Sequence, residues 1–108
     1  MRQDELAGKI KEYVAQNLHL PLTVDDLCKT FYVGRRQVYE IFKQNFGCSV
    51  KKYALDKKIE RAKTLLRTTD QSVQLVAEQC GFSDYNNFIQ RFKSQTGKTP
   101  VAYRKQKV

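Results

Sequence analysis

Apolar side chains recur along this 108-residue chain in steps of three and four, the period of a helix buried on one side. Leu6, Ile10, Tyr13, Val14 and Leu18 predict a first helix over about residues 4–18, broken by Leu20-Pro21-Leu22. Thr23 followed three residues later by Asp26 resembles a capping box, with Asp25 also in the first turn. The short helix it opens turns Val24, Leu27 and Cys28 inward. Gly34 can start a third helix that runs to about Phe46, where Gly47 ends it. From Val50 the chain carries no breaker, and Leu55, Ile59, Ala62 and Leu66 form one seam on a helix of about residues 50–67. At its rise per residue that helix is on the order of 25 Å long. After a polar loop, Ser72 can cap a fifth helix that Gly81 stops. Ser83 can cap a sixth over about Asp84–Gln95, ended by Gly97. Thr99-Pro100 opens a last helix reaching about residue 106, with proline suited to its first turn.

The chain contains the same end-piece twice. Phe42, Lys43, Gly47 and Tyr53 recur as Phe92, Lys93, Gly97 and Tyr103, fifty positions on. Val24 and Leu27 recur as Val73 and Val76, forty-nine positions on, so one residue is gained within the second turn region. The halves are two versions of one unit: short helix, turn, second helix. The expected architecture is therefore all-α, with seven helices. Two helix-turn-helix subdomains, about 23–47 and 72–97, are joined by the long central helix and followed by the tail helix.

In such a unit the second helix lies in the major groove of DNA. It needs one apolar face toward the domain and an opposite face of donors and acceptors. The third helix has Val38, Ile41 and Phe42 on one side and Arg36, Tyr39, Glu40 and Lys43 on the other. Arg36 can donate two hydrogen bonds to guanine. Glu40 can accept from cytosine or hold Arg36 in an i, i+4 ion pair. Arg35 and Lys43 suit phosphates. The sixth helix faces Phe88 and Phe92 inward, supported by Phe82, and Asn86, Asn87 and Gln90 outward; Arg91 falls at a partly inward position. Asn and Gln amides match an adenine edge, whereas a merely soluble face would favour Glu and Lys, because Asn is a poor helix former.

Charge supports the same reading. Twenty Lys and Arg stand against eleven Asp and Glu, a net charge of +9. That excess opposes compaction and fits an anionic partner. Arg35, Lys43, Lys58, Arg61 and Lys93 are the expected phosphate contacts. A basic module binding RNA or lipid without specificity would share the charge but not the duplicated unit or the amide row. One histidine (His19), no nucleophile-and-base set and no glycine-rich phosphate loop argue against an enzyme, so no catalytic residue is assigned. Cys28, Cys48 and Cys80 lack metal or disulfide spacing, and no metal ligand is assigned. Cys28 and Cys80 are expected as buried free thiols. No apolar run is long enough to cross a membrane.

The stretch from Val76 to Lys105 resembles the signature of the AraC/XylS family of bacterial transcription regulators. The matching residues are Ala77, Gly81, Phe82, Phe88, Phe92, Lys93, Gly97, Pro100, Tyr103 and Arg104. Upstream, Leu27, Phe42, Lys43, Gly47, Tyr53 and "KIERAKTLL" are similar too, so the resemblance covers essentially the whole chain. It implies a seven-helix DNA-binding domain whose base-reading positions fall on Arg36, Tyr39 and Glu40, then on Asn86, Asn87 and Gln90. It implies double-stranded DNA as partner, RNA polymerase as a second candidate, no cofactor, and a cytoplasmic, nucleoid-associated location. A sensor domain or effector ligand would lie outside this chain, which is either a short stand-alone member or, as the favoured expectation, the C-terminal or excised part of a regulator. Three positions depart from the family pattern. Gln90 stands where many members carry Arg, and Gly34 where a Ser cap is common. Tyr32 stands where some members have Gly, and a left-handed backbone there would be costly. That points to a turn of different shape or a less rigid first unit.

Overall fold

The computed structural model describes residues 2–20 and 22–106. Among the described residues there are seven α-helices and no strand. They are α1 (Gln3–Gln16), α2 (Val24–Phe31), α3 (Arg35–Ile41), α4 (Val50–Thr68), α5 (Val73–Gln79), α6 (Tyr85–Thr96) and α7 (Pro100–Lys105). A π-helical turn, Phe42–Phe46, continues α3. The chain divides into two compact units, Met1–Asp56 and Lys57–Val108, and α4 runs through the division. The break expected at Pro21 lies outside the described residues, as do residues 107 and 108.

In the first unit the amphipathic reading holds. Leu6, Ile10 and Val14 of α1 are buried with Leu27, Val38, Ile41, Phe42, Val50 and Tyr53. Helix α1 ends two residues earlier than its apolar period suggests. Asn17 competes for the last carbonyls, donating from its side chain to Tyr13 (2.8 Å) and from its backbone to Val14 (3.2 Å). Leu18 is buried all the same, outside the helix, which is why the period ran on. The capping box at α2 is complete. The Thr23 hydroxyl accepts the Asp26 N–H at 3.1 Å, and the Asp26 carboxylate accepts the Thr23 N–H at 3.1 Å. Such a cap contributes about 1 kcal/mol.

The turn between α2 and α3 corrects one expectation. Tyr32 adopts the left-handed conformation, φ +57° and ψ +47°, and its N–H bonds back to Cys28. The turn thus keeps the shape that glycine would favour, and an L side chain there costs about 1–2 kcal/mol. The Tyr32 side chain is 93% exposed, so little packing offsets that cost. Tyr32→Gly is expected to raise the stability of the first unit by about 0.5–1 kcal/mol, after allowance for the freer unfolded chain. A urea titration checks this, and a lowered midpoint would show that the exposed ring contributes more than the strain costs.

The second unit repeats the plan with different end chemistry. Ser72 accepts the Leu75 N–H (3.1 Å) to start α5, and Thr99 accepts the Ala102 N–H (3.2 Å) to start α7, with Pro100 in its first turn. The cap of α6 is Asp84, not Ser83. The Asp84 carboxylate accepts the Asn87 N–H at 3.2 Å, and the helix begins at Tyr85. Phe88 and Phe92 are fully buried, with Phe82 against Phe88 (4.9 Å between ring centroids) and Tyr103 edge-on to Phe92 (5.4 Å). Arg104 of α7 closes the end of α4, donating to the carbonyls of Leu66 (3.1 Å) and Thr69 (3.3 Å).

The duplicated end-piece differs in one detail. In the second unit the Gly97 N–H bonds to Lys93, four residues back; in the first the Gly47 N–H bonds to Phe42, five back. The residue before each glycine differs as well. Phe46 stacks on Tyr53 (4.5 Å) and packs on Phe42 (4.9 Å). Thr96 instead donates its hydroxyl to its own helix, at Phe92.

The thiols separate by burial. All three are free, but only Cys80 is fully buried; Cys28 is half-buried, less enclosed than expected, and so is Cys48. Burial pushes the Cys80 thiol up to about 11 against the pull of Arg61 and Lys58, so it stays protonated near neutral pH.

Candidate nucleic-acid interface

Each unit presents one helix whose inner face is locked and whose outer face is open. On α3, Val38 and Ile41 are fully buried, while Arg35, Arg36 and Tyr39 are exposed and Glu40 partly so. On α6, Phe88 and Phe92 are buried, and Asn86, Asn87 and Gln90 are exposed. The six sequence-predicted base readers therefore fall on the outer faces of these two helices, three on each. Arg91, expected partly inward, is exposed, because the inward positions are filled by Phe88 and Phe92.

The two outer faces differ electrostatically. On α3 both arginines are engaged within the unit. The Arg36 Nε donates to Glu40 at 3.2 Å, so Glu40 holds its neighbour. Arg35 pairs with Asp25 of α2, donates to the Tyr39 hydroxyl at 3.1 Å, and lies 5.8 Å from the Tyr39 ring centroid. The hydrogen bond to Tyr39, then the charge of Asp25, raises the Arg35 pKa further. The α6 face carries amides instead, with no acidic residue in its first turn and Lys93 in its last.

Among the expected phosphate contacts, Lys43, Arg61 and Lys93 are exposed. Lys58 is half-buried with its ammonium 5.8 Å from the Phe82 ring centroid, and burial lowers its pKa. Sequence reasoning missed Asp25 as part of this surface. The available signal was an acid at the start of the first helix and an arginine just after a short turn, which folding back brings together. Among the described residues no three His, Cys, Asp or Glu side chains cluster as a metal site, and no helix is long and apolar enough to cross a membrane.

Two units of short helix, turn and exposed polar helix define a protein with paired helix-turn-helix elements. A family profile described as a helix-turn-helix domain matches residues 27–106, and the chain belongs to this family, in its AraC type. Its relatives include the uncharacterized HTH-type transcriptional regulator YijO of Escherichia coli K12, 30% identical over 97% of this chain and 37% of that protein. A transcriptional regulator of the AraC-type DNA-binding class from Chromobacterium violaceum superposes with a TM-score of 0.88 at 30% identity, over 95% of this chain and 92% of that one. The DNA-binding domain of AdpA, a global transcriptional factor solved with a target DNA, gives 0.82 at 27% identity, over 92% and 89%. The chain spans about a third of the length of the curated relatives it matches.

Proposed function

We propose that this chain is the sequence-specific, double-stranded DNA-binding part of a bacterial transcription regulator, reading two adjacent major-groove segments as a monomer. The observation that carries this reading is the pair of exposed polar rows, each opposite a buried row on its own helix. Arg36, Tyr39 and Glu40 read bases from α3, and Asn86, Asn87 and Gln90 from α6. Lys43, Lys58, Arg61 and Lys93 meet phosphates, whereas Arg35 is already paired with Asp25 and Tyr39. The likeness to a domain solved with its target DNA supports DNA as the ligand. The protein acts in the cytoplasm, at the nucleoid, without a cofactor in this part. RNA polymerase is the second partner we assign. A sensor domain or effector site belongs to the rest of the regulator.

Selection of preferred sites from a random duplex pool tests the reading. Asn86→Ala, Asn87→Ala and Gln90→Ala should each lose about 1–3 kcal/mol of discrimination at one or two base pairs, with folding intact. Unchanged preferences in all three variants would remove α6 as a reader. Affinity should also fall steeply with salt, because Lys and Arg displace counterions from the phosphates. Lys93→Ala should weaken all sequences about equally and lower the log–log salt slope by roughly one. A salt-independent affinity for the parent chain would exclude DNA as the partner.

A further inference from the structure

Arg35 sits on the proposed DNA-facing surface, yet its guanidinium is already engaged twice within the unit. Asp25, in the first turn of α2, takes one side of it across the helix-turn-helix turn. The Tyr39 hydroxyl accepts from the other side at 3.1 Å, and the guanidinium also lies 5.8 Å from the Tyr39 ring centroid. An isolated exposed ion pair would contribute little. Here three groups are linked in series, and the last of them is a proposed base reader. A tyrosine on an exposed helix face otherwise samples several rotamers, and a reader that must first be ordered discriminates less.

We propose that Asp25 is a positioning residue for base readout. Through Arg35 it fixes the Tyr39 side chain in the orientation presented to the major groove. The inference rests on Tyr39 being a reader, as proposed above. It gives α2, otherwise a supporting helix, a direct part in the specificity of α3. It also separates the two arginines at the start of α3: Arg36 faces the bases, and Arg35 braces a neighbour.

The test uses the full chain and sites selected from a random duplex pool. Tyr39→Ala identifies the base pairs that Tyr39 reads. Asp25→Ala is expected to flatten preference at those same pairs by roughly 3–10-fold, the worth of one hydrogen bond, leaving the pairs read from α6 unchanged. Asp25→Glu, which keeps the carboxylate, should restore part of the preference. Tyr39→Phe, which leaves α2 untouched and removes only the hydroxyl, should flatten the same pairs. The salt slope of Asp25→Ala should match that of the parent, since Arg35 makes no phosphate contact. A uniform gain in affinity with a slope steeper by about one would overturn the proposal and make Asp25 a brake on Arg35. Unchanged preference in Asp25→Ala, with Tyr39→Ala altered, would overturn it while leaving Tyr39 a reader. No change in Tyr39→Ala itself would remove Tyr39 as a reader, and the brace with it. Urea midpoints for each variant separate loss of positioning from loss of fold.

Discussion

Phe92→Ala is expected to disable the proposed second reader without altering any of its outward side chains. Phe92 is fully buried, packed between Phe88 (5.8 Å) and Tyr103 (5.4 Å). Truncating a buried phenylalanine costs about 3–5 kcal/mol, from lost burial and the cavity left behind. A whole domain is stable by only about 5–15 kcal/mol. Among the described residues the rest of the second unit's buried set is small: Ile59, Ala62, Leu66, Val76, Ala77, Cys80, Phe88 and Pro100. The variant should therefore unfold at much lower urea and lose protection of α6 and α7 in amide exchange. Asn86→Ala provides the contrast: the same helix, no loss of urea midpoint, and a changed base preference. A Phe92→Ala variant with the parent's midpoint would mean that the second unit does not depend on this ring.

The second large effect concerns stoichiometry. An ordinary helix-turn-helix protein dimerises to reach two successive major grooves, and its site is then palindromic. The two proposed readers have unlike faces, Arg-Tyr-Glu and Asn-Asn-Gln, and α4 continues unbroken for 19 residues between the elements. One copy should therefore occupy an asymmetric site of two neighbouring segments. Because the second segment is met by a reader already tethered to the first, a duplex holding only one segment should bind roughly 10²–10⁴-fold more weakly. Sedimentation on a single site, with a protection footprint, measures this directly. Two copies per site or a symmetric footprint would refute single-copy binding.

What was legible in the sequence follows a physical division. Ends set by local chemistry were readable: the Thr23–Asp26 box, the Ser72 and Thr99 caps, and the left-handed glycines Gly47 and Gly97. The buried faces of α3 and α6 were readable as well, because one period places Val38, Ile41 and Phe42, and then Phe88 and Phe92, on one side. Features that depend on distant partners were not. Ser83 and Asp84 are both good caps, and the sequence offers no local reason to prefer one. The π-helical turn coincides with the stacking of Phe46 on Tyr53, seven residues on. The Arg35–Asp25 pair spans ten residues and a turn, so Arg35 read only as a phosphate contact. Tyr32 ran the other way. Local preference argued against a left-handed turn, and the structure adopts one nonetheless.

The unequal endings of the two reading helices bear on any attempt to build chimeras from this protein. The repeat invites treating α3 and α6 as interchangeable cassettes, since each run from its first helical residue to its closing glycine has the same length. The outward amides of α6 can be moved between slots, whereas Tyr39 and Arg35 of α3 would leave behind Asp25 of α2. The residue before the glycine cannot travel with them. A graft that carried Thr96 into the first slot would leave Tyr53 without its stacking partner, and one that carried Phe46 into the second would displace the hydroxyl that bridges Phe92 and Lys98. The seam of a functional chimera therefore falls before positions 46 and 96, with each host keeping its own final residue.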